Sequence, residues 1–373
     1  MVIRNATAFL DGRFVQNTDV RVVNGVVAEV GAALAAAPGE DVLEADGQYL
    51  LPGFVDVHIH AYRGHDTMEG EQAVRHMSRG LYQEGVAAFL PTTMSASVPD
   101  TQHAMAGIQA VMRNPEARGA RVLGAHMEAP FLADGKCGAQ VKSHFMDPSM
   151  DALRLVANDD LSSVRIITMA PERAGSEAFI REAAGQGITV SVGHSAATGD
   201  QTHLAADWGA THVTHTFNAQ TALHHRDPGV PGASLVDDRY YCEMICDGVH
   251  LHPDIIRLIV RAKGIEKAVM ITDSMEAAGM PDGQYTLGGQ AVYVKDGQAR
   301  LADGVLAGSV LTMPQALRNM IHLFGFAPED AVRMCTQTPA DSIGETLAGR
   351  IVPGSPAPLT QWSADWKNMQ VIG

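Results

Sequence analysis

From Pro52 onward the chain alternates short apolar segments of strand character with helical stretches, and this alternation most restricts how it can fold. Eight strand candidates can be counted: Phe54–His60, Val86–Thr92, Val122–Glu128, Val164–Ala170, Ile188–His194, Thr211–Thr216, Tyr241–Asp247 and Ala268–Asp273. Helical candidates such as Glu71–Glu84 and Ser176–Gly185 lie between most of them. Strands joined by crossover helices run parallel, because the helix returns the chain to the same end of the sheet. Eight such units over roughly 250 residues are the expectation for a (β/α)8 barrel of the TIM type.

The remainder reads as β. Asn24-Gly25 sits between Arg21-Val22-Val23 and Val26–Val30, a strong hairpin signal. The tail after Arg350 contains proline, glycine and tryptophan and is not helical. The reading is a small β-sandwich domain built from both termini, residues 1–51 and 351–373, attached to a barrel of residues 52–350. Tyr285–Leu306, with turns at Gly288-Gly289 and Asp296-Gly297, reads as a β excursion from the barrel. Ser309 is expected to cap a final long helix, Met313–Phe324.

Composition narrows the function. Hydrophobic residues are 46% and charged residues 18%, as in a compact globular protein. No window approaches ~18 uninterrupted apolar residues, so no membrane partner is expected. The first residues lack a basic stretch followed by an apolar one, which predicts a cytoplasmic location. Four cysteines at irregular spacing suit reduced thiols; Cys242 and Cys246 lack a second pair with which to form a zinc site. The net charge of −15, without any Lys/Arg run, argues against nucleic acid. An anionic substrate stays compatible, since a site can be locally positive. Of 16 histidines, half fall between His194 and His252.

Those histidines fall where barrel chemistry gathers, at the carboxyl ends of strands. Strand one ends in His58 and His60, which alternation puts on one face. Strand three ends in Glu128, strand five in His194, strand six in His215 and strand eight in Asp273. Successive positions are two, two, one and two βα units apart, so one register brings all of them to the same rim. A packed core has no reason to place four histidines and two carboxylates there. The set predicts a divalent metal centre of one or two ions. Zinc suits it best; iron, manganese and cobalt also fit. Glu128, with two oxygens, can bridge two ions, His58 and His60 holding one and His194 and His215 the other. Asp273 is then the natural general base toward a water activated by metal.

These motifs resemble those of the amidohydrolase superfamily, and within it the deacetylases of amino-sugar phosphates. The resemblance runs over nearly the whole chain: Pro52–His60, Gly64–Met68, His126–Phe131, Val192–Ser195, His215–Ala219, Leu223–Gly229, Asp247–Pro253, Thr272–Met275 and Ala307–Ser309. It implies hydrolysis of the N-acetyl group of N-acetylglucosamine 6-phosphate, with Asp273 as general acid/base. It implies metal ligation by Glu128, His194 and His215, with His58 and His60 supplying a second site that some members lack. By the same resemblance Asn218, Ala219 and His250 contact the sugar phosphate. Arg226 binds phosphate from the neighbouring subunit, which implies a homodimer.

Two departures stand out. Where the family usually reads Gly-Ala-His, with the histidine on the acetyl carbonyl, this chain reads Gly138-Ala139-Gln140, and Ala129 replaces a usual glycine. Gln140 can donate a hydrogen bond but cannot carry charge. His144 is a possible substitute, and Tyr62-Arg63 can narrow or recharge the pocket. These departures leave open an N-acetylgalactosamine 6-phosphate or other N-acyl sugar substrate, and a catalytically silent barrel is the non-enzymatic alternative. A cyclic-amide hydrolase, with its modified bridging lysine, fits poorly, because no strand end offers a lysine.

Overall fold

The computed structural model describes residues 1–373. The eight barrel strands form one parallel sheet in chain order: Phe54–Ile59, Val86–Thr93, Ala125–Phe131, Val164–Met169, Thr189–Val192, His212–Val213, Tyr241–Ile245 and Ala268–Ile271. They are apolar runs rather than alternating ones, since one face meets the barrel axis and the other the helices; every residue of Val86–Thr93 is buried. The helices pack through one stripe, as where Glu71–Gln83 buries Val74, Met77 and Leu81. At the seam between last and first strands, Asp273 N donates to His58 O at 2.8 Å. One turn deeper, Thr272 Oγ1 donates to the Asp56 carboxylate at 2.6 Å. Barrel closure therefore puts the residues around Asp273 beside those around His58.

Some boundaries differ from expectation for local reasons. The third strand begins at Ala125, because Gly124 at φ 141° breaks the extended run. Arg121–Val122 instead forms a separate short strand against Val86–Thr93, and Glu128 lies within its strand rather than at its end. The helix from Met313 ends at Arg318 and passes into a π-helical turn, Asn319–Leu323. It is not the last, since Pro328–Cys335 and Gln337–Ser342 follow. Ser309 does not cap it: its hydroxyl donates to Thr272 O at 2.6 Å, and Thr312 precedes the helix.

Both chain ends build one seven-stranded sheet. Val2–Leu10, Arg13–Val23, Val26–Gly31, Val42–Glu44 and Tyr49–Pro52 are joined by Leu359–Trp362 and Met369–Ile372. The hairpin turns at Asn24-Gly25, both left-handed (φ 51° and 73°), as a type I′ turn requires. Ile3, Val20, Leu50 and Leu359 pack into a core of the sheet's own, whereas Phe9, Leu51, Trp362 and Trp366 join the barrel's core. The excursion is three antiparallel strands, Gly283–Leu287, Gln290–Lys295 and Gln298–Leu301, with Leu287 and Val292 packed against Met94 and Met275. No helix is long and apolar enough to cross a membrane.

Trp362 is fully buried between sheet and barrel, against Phe54 and Trp366 and beneath Arg318. Trp362→Ala is expected to cost about 3–5 kcal/mol, measured as a lower midpoint of chemical unfolding; a cost under about 1 kcal/mol would show that this contact does not hold the two parts together.

Candidate metal centre

The predicted rim residues converge on one buried cluster. Glu128 Oε1 lies 3.1 Å from His194 Nε2 and 2.9 Å from His215 Nε2. Its other oxygen lies 3.2 Å from His60 Nε2, and His58 Nε2 is 3.4 Å from Oε1. Asp273 Oδ1 faces the same pair, 3.3 Å from His60 Nε2 and 3.5 Å from His58 Nε2. Two ligand groups face the rim, His58–His60–Asp273 and Glu128–His194–His215, and a third, His58–His126–Glu243, shares His58. The backbone aims these side chains: His194, His215 and Asp273 all have left-handed φ values of 45°, 28° and 49°. Such conformations cost of order 1–3 kcal/mol each and persist only where the surrounding structure enforces them.

The hydrogen bonds on the far side of each ring decide what the near side offers. His194 Nδ1 is 2.8 Å from Lys136 O, which only accepts, so Nδ1 carries the proton. His60 Nδ1 likewise donates to Thr92 O at 3.3 Å, and His58 Nδ1 to Glu243 Oε2 at 2.9 Å. Each Nε2 then turns a lone pair toward carboxylate oxygens. His194 Nε2 and His215 Nε2 are themselves 3.1 Å apart, and His58 Nε2 and His60 Nε2 3.3 Å. Two protons do not fit in either gap; His58, His60 and His194 can turn lone pairs to a cation there, while His215 Nδ1 has no partner to fix its tautomer.

The charges make the same demand. Glu128, Glu243 and Asp273 are buried, and their only ion-pair partners are histidines. Buried charges need paired charge or metal. Burial raises the Asp273 and Glu128 carboxyls, yet the surrounding imidazoles outweigh it and hold both below the usual carboxylate range. In turn, and against its burial, His60 is raised to about 9 by Asp273 and Glu128. The residues fit divalent metal.

A cavity of about 520 Å³ opens over the cluster. His60, Glu128, His194, His215 and Asp273 line it, as do Gln140, Asn218, Ala219 and His250; His58 lies beneath. Gln140 is buried, held by Ser95 N, which donates to its oxygen at 2.7 Å, while its amide nitrogen donates to Glu128 Oε2 and lies 3.5 Å from Met94 Sδ. His250 is fixed by Nδ1–H donation to Asp247 at 2.7 Å.

Arg226 stands outside this chain's cavity, exposed, against His225 Nε2 at 2.8 Å. Tyr62 and Arg63, expected near substrate, instead both bind Glu84 away from the cavity. His144 does not line it either.

Sequence reasoning missed Glu243 and Arg300. Arg300 reaches the cavity wall from the excursion and makes no ion pair, donating to Gln298 Oε1 and to Gly304 O, each at 2.8 Å. Glu243 had a readable signal, a lone carboxylate in the apolar strand Tyr241–Ile245. His126 and His212, by contrast, are core histidines; burial pushes His126 down to about 3 and keeps it neutral.

A (β/α)8 barrel carrying a histidine–carboxylate cluster at its strand ends is the architecture of a metal-dependent hydrolase. Residues 49–373 match the amidohydrolase family, and the chain belongs to it. It is 36% identical over 357 residues to the N-acetylglucosamine-6-phosphate deacetylase of Lysinibacillus sphaericus, covering 95% of this chain and 91% of that protein. It is also 36% identical over 358 residues to the N-acetylgalactosamine-6-phosphate deacetylase of Escherichia coli O157:H7, covering 95% and 93%. The crystal structure of an Asp-to-Ala mutant of the Mycobacterium smegmatis N-acetyl-D-glucosamine-6-phosphate deacetylase, in complex with N-acetyl-D-glucosamine-6-phosphate, superposes with a TM-score of 0.89 at 31% identity, over 98% of this chain and 96% of that one.

Stripping the protein with a chelator should lower its melting temperature, and added Zn²⁺ or Mn²⁺ should restore it. At metal 100-fold above its Kd, binding contributes about 2.7 kcal/mol. An identical melting temperature with and without chelator, by calorimetry, would show that no ion compensates the cluster.

Proposed function

We propose that this chain hydrolyses the acetamide of N-acetylglucosamine 6-phosphate, releasing acetate and glucosamine 6-phosphate. The observation that carries the reading is the Glu128 carboxylate between two imidazole pairs, with Asp273 facing one of them. Two relatives, from Lysinibacillus sphaericus and Mycobacterium smegmatis, bear that activity in their names.

Glu128, His194 and His215 hold one divalent ion, and His58 and His60 a second where two are bound. Zinc suits the donors best, with iron, manganese and cobalt as alternatives. A bound ion polarises the amide carbonyl and makes water acidic near neutral pH. Asp273 accepts a proton from the water as its oxygen bonds to the acetyl carbon. It returns that proton to the amide nitrogen as the C–N bond breaks, so one water accounts for acetate and the free amine. Gln140 has a second amide hydrogen, close only to Met94 Sδ, to offer the acetyl oxygen. It does so without charge, where the resemblance puts a histidine. Asn218, Ala219 and His250 orient the sugar. Arg226 serves the neighbouring cavity of a homodimer, its planar fork suited to phosphate. The four cysteines are unpaired, in keeping with a reducing cytoplasm.

Asp273→Asn should keep the ion on Glu128, His194 and His215 and lose about 10²–10⁴-fold in kcat; turnover at the wild-type rate would remove the proton-transfer role. The Escherichia coli relative motivates a second reading, the 4-epimer as substrate. Steady-state comparison of N-acetylglucosamine 6-phosphate, N-acetylgalactosamine 6-phosphate and unphosphorylated N-acetylglucosamine is expected to give the highest kcat/KM for the first. A higher value for the galacto epimer would transfer the assignment to it, and equal turnover of the unphosphorylated sugar would end the phosphate role of Arg226.

A further inference from the structure

Beneath the rim lies a carboxylate that touches neither cavity nor solvent. Glu243 comes from the seventh barrel strand, Tyr241–Ile245, and is fully buried. One of its oxygens, Oε2, accepts from His58 Nδ1 at 2.9 Å and from the backbone N–H of His215 at 2.9 Å. The other has no hydrogen-bond partner, with His212 Nε2 3.4 Å away. No lysine or arginine pairs with it; its ion-pair partners are His58 and His212. A carboxylate in such a place is a costly choice for packing alone.

We infer that Glu243 is a positioning residue for the metal centre: it fixes His58 with Nε2 toward the ion and, through the same oxygen, ties His58 to the backbone of His215 in the other ligand group. The chemistry follows from the acceptor. Because Glu243 takes the proton of Nδ1, the only lone pair His58 can present is on Nε2, the atom facing Glu128 and Asp273. A charged partner also makes the imidazole a stronger donor to metal than a neutral carbonyl does. His60 and His194 have only carbonyl partners, Thr92 O and Lys136 O, so His58 is the ring whose ligand strength depends most on its neighbour. The shared oxygen spans the two ligand groups across the barrel and holds His58 and the start of the His215 turn in register. Reach alone does not explain this, since Gln would fill the same space.

The inference rests on the site being a two-ion centre, and metal content is measured apart from turnover, so the two readings fail separately. The full-length protein is loaded with Zn²⁺ and dialysed against buffers of graded free Zn²⁺; bound zinc per chain is counted by mass spectrometry. The wild type is expected to lose its ions in two steps. Glu243→Gln should need about 10–100-fold more free Zn²⁺ to hold the weaker ion, with a smaller shift for the ion on Glu128, His194 and His215. Glu243→Asp, which keeps the charge but withdraws it by one methylene, serves as the second variant if Gln fails to fold, and the same loss is expected. In a His58→Ala background, where the weaker ion is already lost, Glu243→Gln should shift the remaining ion no more than it does beside an intact His58. Wild-type zinc affinity in a folded Glu243 variant overturns the inference. So does a wild type that saturates at one ion. Equal weakening of both ions with a fallen melting temperature, together with the same weakening of the remaining ion in the His58→Ala background, also overturns it, by marking Glu243 as a packing residue.

Discussion

The structure turns on three buried carboxylates, Glu128, Glu243 and Asp273, without a lysine or arginine among their partners. Removing a carboxylate from water costs several kcal/mol even after the surroundings relax. Histidine is the side chain that can answer it here, because one ring nitrogen can donate to the scaffold while the other turns a lone pair inward. The barrel thus turns imidazole nitrogens and the Glu128 and Asp273 carboxylates toward one small volume, with Glu243 behind His58, an arrangement that suits divalent cations.

Barrel closure is what brings that arrangement together. The seam between strands eight and one sets Asp273 N on His58 O, and Asp56 bonds Thr272 one residue earlier. Left-handed residues at His194, His215 and Asp273 turn the chain inward as it leaves the sheet. Those conformations are unfavourable locally and are sustained by the packing of the barrel beneath them. The cost of aiming the ligands is thus met by residues such as Val190, Val192 and Ile271, which contribute nothing to chemistry.

The parts outside the barrel have separate tasks. The terminal sheet has its own core and meets the barrel through aromatic residues, chiefly Trp362 and Trp366. The three-stranded excursion lies over the cavity, and Arg300 on it joins Lys136 as a cation on the wall. A net charge of −15 on the chain is therefore compatible with the anionic substrate proposed for this pocket.

Much of this was legible in the chain alone. The strand–helix alternation predicts the barrel, Asn24-Gly25 predicts the hairpin, and His58, His60, Glu128, His194, His215 and Asp273 stand at intervals of whole βα units. Gln140 stands out as a departure without any coordinates. These are local or periodic properties, and local sequence carries them. Where Gly124 breaks the third strand and where the helix from Met313 gives way to a π turn depended on packing that no window of residues contains. The partners were least legible. Glu243 and His58 are separated by 185 residues and meet only because the barrel closes in one register. Which nitrogen His58, His60 and His194 offer is likewise decided by a carboxylate or carbonyl on another strand or loop. Sequence determined which ligand-type residues line one rim; tertiary structure decided which way each ring faces and which of them share an oxygen, because hydrogen-bond partners across a closed sheet are set by register and not by proximity along the chain.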